Sequence, residues 1–134
     1  MPKTDPFEAH TERYEGWFDT HDDAYQSELA ALARLVPATG PGIEIGVGSG
    51  RFAEPLGIEV GIDPAEAMLE YARQRGIDAI RGVAEQLPVR DGVFDIALIV
   101  TTICFVDDIP KTLTEADRIL SDSGRLVIGY IDRD

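Results

Sequence analysis

The sequence predicts an α/β fold, a doubly wound and mainly parallel sheet with helices on both faces. Three observations carry that prediction. Short β-branched runs alternate with amphipathic stretches along the chain, the pattern of parallel strands joined by right-handed helical crossovers. Phe94 to Val100 is almost continuously apolar, as in a central strand buried on both faces. The first apolar run leads directly into alternating glycines, and open α/β sheets bind ligands beyond such strand ends. The chain has 134 residues, 44% of them hydrophobic, which is enough for one core. It is read as a single domain over 1–134, with an N-terminal cover segment at 1–20 and a core at 21–134.

Residues 1–20 are polar and aromatic without a clear period. Tyr25, Leu29, Leu32 and Val36 then recur at helical spacing, predicting a helix from Asp23 to Leu35. Thr20 or Asp22 supplies its cap, and Pro37 ends it. A turn at 37–42 precedes the first strand, Ile43–Val47. A short helical piece follows around Phe52 and Ala53, kept short by Pro55. Ile58–Ile62 reads as the second strand. Pro64 opens a helix whose apolar face is Met68, Leu69 and Ala72, closed by Gly76. Ile77–Arg81 is a short third strand, and Phe94–Val100 is the fourth. A helix starts at Ile109-Pro110 with Leu113, Ala116 and Leu120 on one side. Ser121–Gly124 forms a turn into the fifth strand, Leu126–Tyr130.

Composition excludes several classes. The net charge is −13, from 25 acids against 12 bases, with no basic cluster. Nucleic-acid binders need a basic surface to neutralise phosphates, so neither DNA nor RNA is expected as a partner. An anionic membrane surface is disfavoured for the same reason. No apolar run approaches the ~20 residues of a membrane span, and no signal pattern opens the chain, so a cytoplasmic location is expected. One cysteine and two histidines cannot supply the Cys/His ligand set usual for structural zinc, so no metal is expected.

Chemistry concentrates in two places. Glu44-Ile-Gly46-Val-Gly48-Ser-Gly50 sets three glycines in alternation after a strand. Lacking side chains, they let the backbone approach a ligand and take positive φ. Glu44 is an acid in an apolar strand, costly to bury unless paired, and a cationic ligand amine is a suitable partner. Asp63 ends the second strand, where a carboxylate accepts from both hydroxyls of a ribose. The competing reading has Asp63 only N-capping the helix that Pro64 begins.

Five segments in order resemble the class I S-adenosylmethionine (SAM) dependent methyltransferases, most closely the broad small-molecule type. They are E-I-G-V-G-S-G, G-I-D-P-A-E-A-M-L-E-Y-A-R, G-V-A-E-Q-L-P, D-G-V-F-D-I-A-L-I-V-T-T and E-A-D-R-I-L-S-D-S-G-R-L-V-I-G, and they cover the chain from about residue 10 onward. The resemblance implies a Rossmann-like sheet of strand order 3-2-1-4-5. It implies SAM as cofactor, with S-adenosylhomocysteine as product, and a small-molecule methyl acceptor. Gly46, Gly48 and Gly50 would line the cofactor, Glu44 would hold its ammonium and Asp63 its ribose. Pro64 and Met68 would lie near the adenine, with Ala84 and Glu85 at its edge. Thr101 and Thr102 would sit near the sulfonium, and Tyr14 and Trp17 in a mobile cover.

Two departures stand out. Where the family often has Asp, in G-D-A-E-x-L-P, this chain has Val83, so adenine recognition falls to backbone groups, Glu85 or water. The family fold usually has seven strands, and this chain stops after the fifth, without the final antiparallel hairpin. A truncated chain that self-associates through an exposed fifth-strand edge is therefore expected. No catalytic acid or base is assigned, because methyl transfer is a direct displacement that relies on alignment. His10, His21 and Asp19 read as surface groups, Cys104 as a small buried thiol, and Asp107 and Asp108 as helix caps. Arg51 either reaches a cofactor carboxylate or is solvated. Two alternatives stay open: a non-catalytic SAM-binding module, and an NAD-dependent oxidoreductase, whose usual fingerprint is G-x-G-x-x-G rather than G-x-G-x-G.

Overall fold

The structure is a computed structural model that describes residues 11–37, 40–100, 102 and 106–130. Thr101, Cys104 and His10 lie outside the described residues, as does the side chain of Tyr14. Five strands form one sheet in the order β3-β2-β1-β4-β5, each pair parallel. The strands are β1 Gly42–Ile45, β2 Val60–Asp63, β3 Asp78–Arg81, β4 Phe94–Val100 and β5 Leu120–Gly129. The helices are α1 Thr11–Thr20, α2 Asp22–Ala33, α3 Ala53–Leu56, α4 Glu66–Gln74 and α5 Ile109–Ile119. The predicted strand order holds.

Successive residues of β4 serve the two faces of the sheet in turn. Ile96, Leu98 and Val100 join Phe18, Leu32, Phe52, Leu69 and Ala72, so α1–α4 cover one face. Ala97 and Ile99 join Ile43, Ile45, Ala116 and Ile119, so α5 covers the other. This is why β4 shows no polar alternation.

Four local expectations are corrected. Residues 11–20 are helical although no period was evident, because the inward face is Thr11, Glu15 and Phe18 at helical spacing, only one of them apolar. The α2 cap position is His21, with no side-chain capping bond from Thr20 or Asp22. Pro64 does not open α4: the helix starts at Glu66, with Ala65 at its N-cap. Ser121–Gly124 is part of β5 rather than a turn before it. Phe94 pairs with Leu120 and Ile96 with Arg125, so those four residues bulge opposite Asp95, whose carboxylate accepts from Ser121 Oγ at 2.8 Å.

The two sheet edges are finished differently. Asp78 N–H donates to the Glu59 carbonyl just before β2 and Gly82 N–H to that of Asp63, so by alternation the Ala79 backbone groups point outward from the sheet. There the Ala79 carbonyl accepts from Arg73 Nε and Nη2 at 3.3 and 3.0 Å, which covers the edge. On β5 Ile128 is exposed, as is Tyr130 just beyond its end.

Candidate functional site

The carboxyl ends of β1 and β2 meet at the glycine turn. Gly46, Gly48 and Gly50 all have positive φ, at 77°, 55° and 86°. Gly48 N–H donates to Asp63 Oδ2 at 2.9 Å, and Ala65 N–H donates to Asp63 Oδ1 at 2.9 Å. Asp63 therefore ties the loop after β1 to the one after β2. It is not the N-cap of α4, so the simple capping reading is corrected: it forms an Asx-type turn instead.

The reason for two of the glycines also differs from the expectation. A Cβ on Gly46 would collide with the Thr102 side chain, and one on Gly50 with Ile77 Cδ1. Bare backbone is needed there for packing within the protein as well as for positive φ. Thr102 Oγ1 lies 3.2 Å from the carbonyls of Gly46 and Val100, so the segment after β4 closes directly on the glycine turn.

Glu44 is 2% exposed, one residue short of the end of β1. Burial pushes its carboxyl well above the usual carboxylate range, the neighbouring Asp63 adds to the rise, and a hydrogen bond from the Ala53 backbone opposes it. Among the described residues its Oε1 has no hydrogen-bond partner, and neither does the buried Ser49 Oγ in the turn that follows β1. Such orphaned atoms call for a ligand able to satisfy them.

Pro64 is half-buried, and Met68 is buried at 1% exposure in α4. Ala84 is buried against Ile62 and Leu87 in the core on the α5 face. Glu85 is committed elsewhere on one side: its Oε2 accepts from the N–H groups of Asp107 and Asp108 at 2.9 and 3.2 Å, leaving only the buried Oε1 unpartnered. It joins the turn after β3 to the start of α5. Asp108 caps α5 as expected, accepting from Lys111 N–H at 3.0 Å. Trp17 is 39% exposed and stacks on His21 at 4.5 Å. Asp19 is on the surface.

Sequence reasoning missed a cluster beside the loop. Glu15 Oε2 accepts from Arg51 Nη2 at 2.9 Å and Arg51 Nε at 3.2 Å, and from Arg75 Nη2 at 3.2 Å. Arg75 Nη1 donates to the Ser49 carbonyl at 3.0 Å, and Tyr25 Oη donates to the Arg51 carbonyl. Arg51 is thus paired with Glu15 rather than free in solvent. The spacing of Glu15 and Phe18 was the available signal, hidden because one of the two inward residues is charged. Among the described residues no group of three or more His, Cys, Asp or Glu is arranged to hold a metal ion. No helix there is long and apolar enough to cross a membrane.

Residues 43–128 match the family model of the methyltransferase domain. A solved SAM-dependent methyltransferase of Thermotoga maritima, described as a possible histamine N-methyltransferase, is 53% identical with a TM-score of 0.92. The match covers 96% of this chain and 61% of that one. An uncharacterized Methanocaldococcus jannaschii protein is 44% identical over 96% of this chain and 62% of its own length. A Haloferax volcanii protein solved in complex with the methyltransferase activator Trm112 is 25% identical, with a TM-score of 0.75, over 94% of this chain and 59% of that one. The chain spans about three fifths of the length of these proteins.

Proposed function

The chain belongs to the methyltransferase domain family, and from that premise we propose that it binds SAM at the glycine turn and transfers the methyl group to a small-molecule acceptor. The observation that carries this reading is the Gly48–Asp63 hydrogen bond, which fixes a carboxylate against a glycine turn where two parallel strands end. Each Asp63 oxygen accepts a backbone N–H, and a carboxylate oxygen can accept more than one donor, which suits the two hydroxyls of a ribose. Gly46, Gly48 and Gly50 supply the close backbone, and Glu44 Oε1 the partner for an ammonium. Ionisation of Glu44 is unfavourable in the buried strand and becomes favourable beside a bound cation. Pro64 and Met68 form the apolar side of the adenine site, with Ala84 and Glu85 at its edge. Val83 offers no side-chain acceptor, and Glu85 only one oxygen, so backbone groups carry most of the adenine recognition. Thr101 and Thr102 are assigned to the reacting end, and Tyr14 and Trp17 to the cover.

When bound, SAM supplies an electrophilic methyl on a sulfonium. The chain's own part is orientation and the exclusion of water, with no catalytic acid or base assigned. A small amine is the first acceptor class to test. The Thermotoga maritima relative is described as a possible histamine N-methyltransferase, and a net charge of −13 favours the approach of cations. A cytoplasmic location suits these small-molecule partners.

Isothermal titration calorimetry with SAM and with S-adenosylhomocysteine tests the cofactor site. Saturable binding is expected, weakened at least about tenfold in Asp63→Ala by loss of charged hydrogen bonds. A folded chain that binds neither ligand, or that binds NAD instead, would sink the reading. Binding without turnover across a panel of small amines, alcohols, thiols and carboxylates would favour a cofactor-holding module without catalysis.

A further inference from the structure

We propose that Glu15 is a positioning residue of the cofactor site, coupling the docking of α1 to the shape of the glycine turn. The proposal rests on the reading that Gly46–Gly50 line that site. The Glu15 side chain is 11% exposed and makes the shortest ionic contacts between α1 and the loop, beside a longer Arg51–Asp19 contact at 3.9 Å. One carboxylate oxygen takes both arginines. Arg51 directly follows Gly50, and its guanidinium also lies over the Phe18 ring at 5.0 Å. Arg75, just beyond α4, spans from Glu15 to the Ser49 carbonyl. Two carbonyls of the turn backbone, on either side of Gly50, are therefore held from the helical side: Ser49 through Arg75, and Arg51 through Tyr25.

The geometry has a consequence for binding. Gly48 N–H is fixed from below by Asp63 and the Gly46 carbonyl by Thr102, while the far end of the same turn depends on a helix outside the sheet. Without the Glu15 carboxylate, the two guanidiniums lose their shared counter-charge, and α1 keeps only the longer Arg51–Asp19 contact at 3.9 Å. The turn at Ser49–Arg51 then gains conformations that a ligand must select against. Because coupling between two sites is reciprocal, a ligand that orders the turn must also tighten α1.

The test measures S-adenosylhomocysteine affinity for the whole chain and for Glu15→Gln, Arg75→Met and the double variant. Hydrogen exchange of α1 with and without ligand is followed in parallel. Asp63→Ala serves as the control for the site. Each single substitution is expected to weaken binding about tenfold, within the usual range of coupling between sites. The double variant should be little worse than either single one, since both break the same link. Saturating ligand should slow exchange across residues 11–20 in the native chain and leave it unchanged in Glu15→Gln. A merely structural Glu15 would lower thermal stability without abolishing this ligand-dependent protection. Native affinity in Glu15→Gln, or additive losses in the double variant, would overturn the clasp while a weakened Asp63→Ala keeps the site reading intact. Native affinity in Asp63→Ala would overturn both. Should Glu15→Gln fail to fold, Arg75→Lys reads the same coupling, because the single ammonium cannot bridge Glu15 and the Ser49 carbonyl as a guanidinium does.

Discussion

Two arginine-centred clusters in this molecule are built to different standards of completeness. Where α5 meets the segment 87–91, Arg118 donates to Glu115, Asp91 and the carbonyls of Leu87 and Val89. Glu115 also accepts from Leu87 N–H at 2.7 Å, so both of its oxygens are engaged. The Arg118 hydrogen bond holds the Glu115 carboxyl below the usual range, and the same pairing raises Arg118 further. At the glycine turn the pairing stops short. The four buried side-chain oxygens without a partner among the described residues are Glu15 Oε1, Glu44 Oε1, Ser49 Oγ and Glu85 Oε1. All four lie in, next to or bonded to segments at the carboxyl ends of strands. A corner whose hydrogen bonds close on themselves is there for the fold. One that leaves acceptors open is where the proposed ligand would find partners.

The sharpest way to break this contrast is at the glycines. Gly46→Ala forces a side chain onto a residue at φ 77° and into Thr102. A loss of about 3 kcal/mol in urea unfolding is expected, with S-adenosylhomocysteine binding falling below detection. Gly92→Ala is the control, at φ 65° with only the Leu120 carbonyl nearby at 4.0 Å. It should lose about 1 kcal/mol from backbone conformation alone and keep its affinity. Equal effects at the two positions would remove any special status from the turn.

Arg118→Met tests the closed corner. It strands Glu115 and two carbonyls, so a loss of about 2 kcal/mol is expected in the same unfolding assay. The ligand dissociation constant should stay within about twofold, because the cluster touches no proposed cofactor residue. A large loss of affinity in a folded variant would show that the two regions are not separate.

The smallest expected effect has the most informative sign. The folded Glu44 carboxyl titrates well above its unfolded range. Its stability contribution is therefore full at low pH and is lost as pH rises from the ordinary carboxylate value through the raised one. Glu44→Gln should raise the thermal midpoint of the ligand-free chain by a few degrees at pH 8, with the gain shrinking toward pH 5. The same substitution should weaken SAM binding, since an amide does not balance an ammonium. Melting curves across that pH range, with and without ligand, separate the two effects. A midpoint that falls at pH 8 would mean the carboxylate is already paired.

Strand β4 was legible to the residue because apolar side chains on both faces leave an unbroken run. The glycine turn was legible because its spacing is local, and Asp63 because it follows a strand directly. The α1 helix was not, since its inward face includes Glu15, a residue that reads as surface until its arginine partners are known. The β5 bulge escaped for a related reason. Ser121–Gly124 has turn composition, and only the register against β4 makes it part of a strand.

By itself, then, the sequence determined the order of elements from α2 onward, the parallel sheet and the position of the glycine turn, because each depends on patterns within a few neighbouring residues. The tertiary structure alone decided what the polar side chains do. It turned Glu85 toward the start of α5, closed Thr102 on Gly46 and brought Glu15 to Arg51 and Arg75, which follow it by 36 and 60 positions. The partners of a buried charge are set by chain crossings far apart in sequence, and no local pattern encodes them.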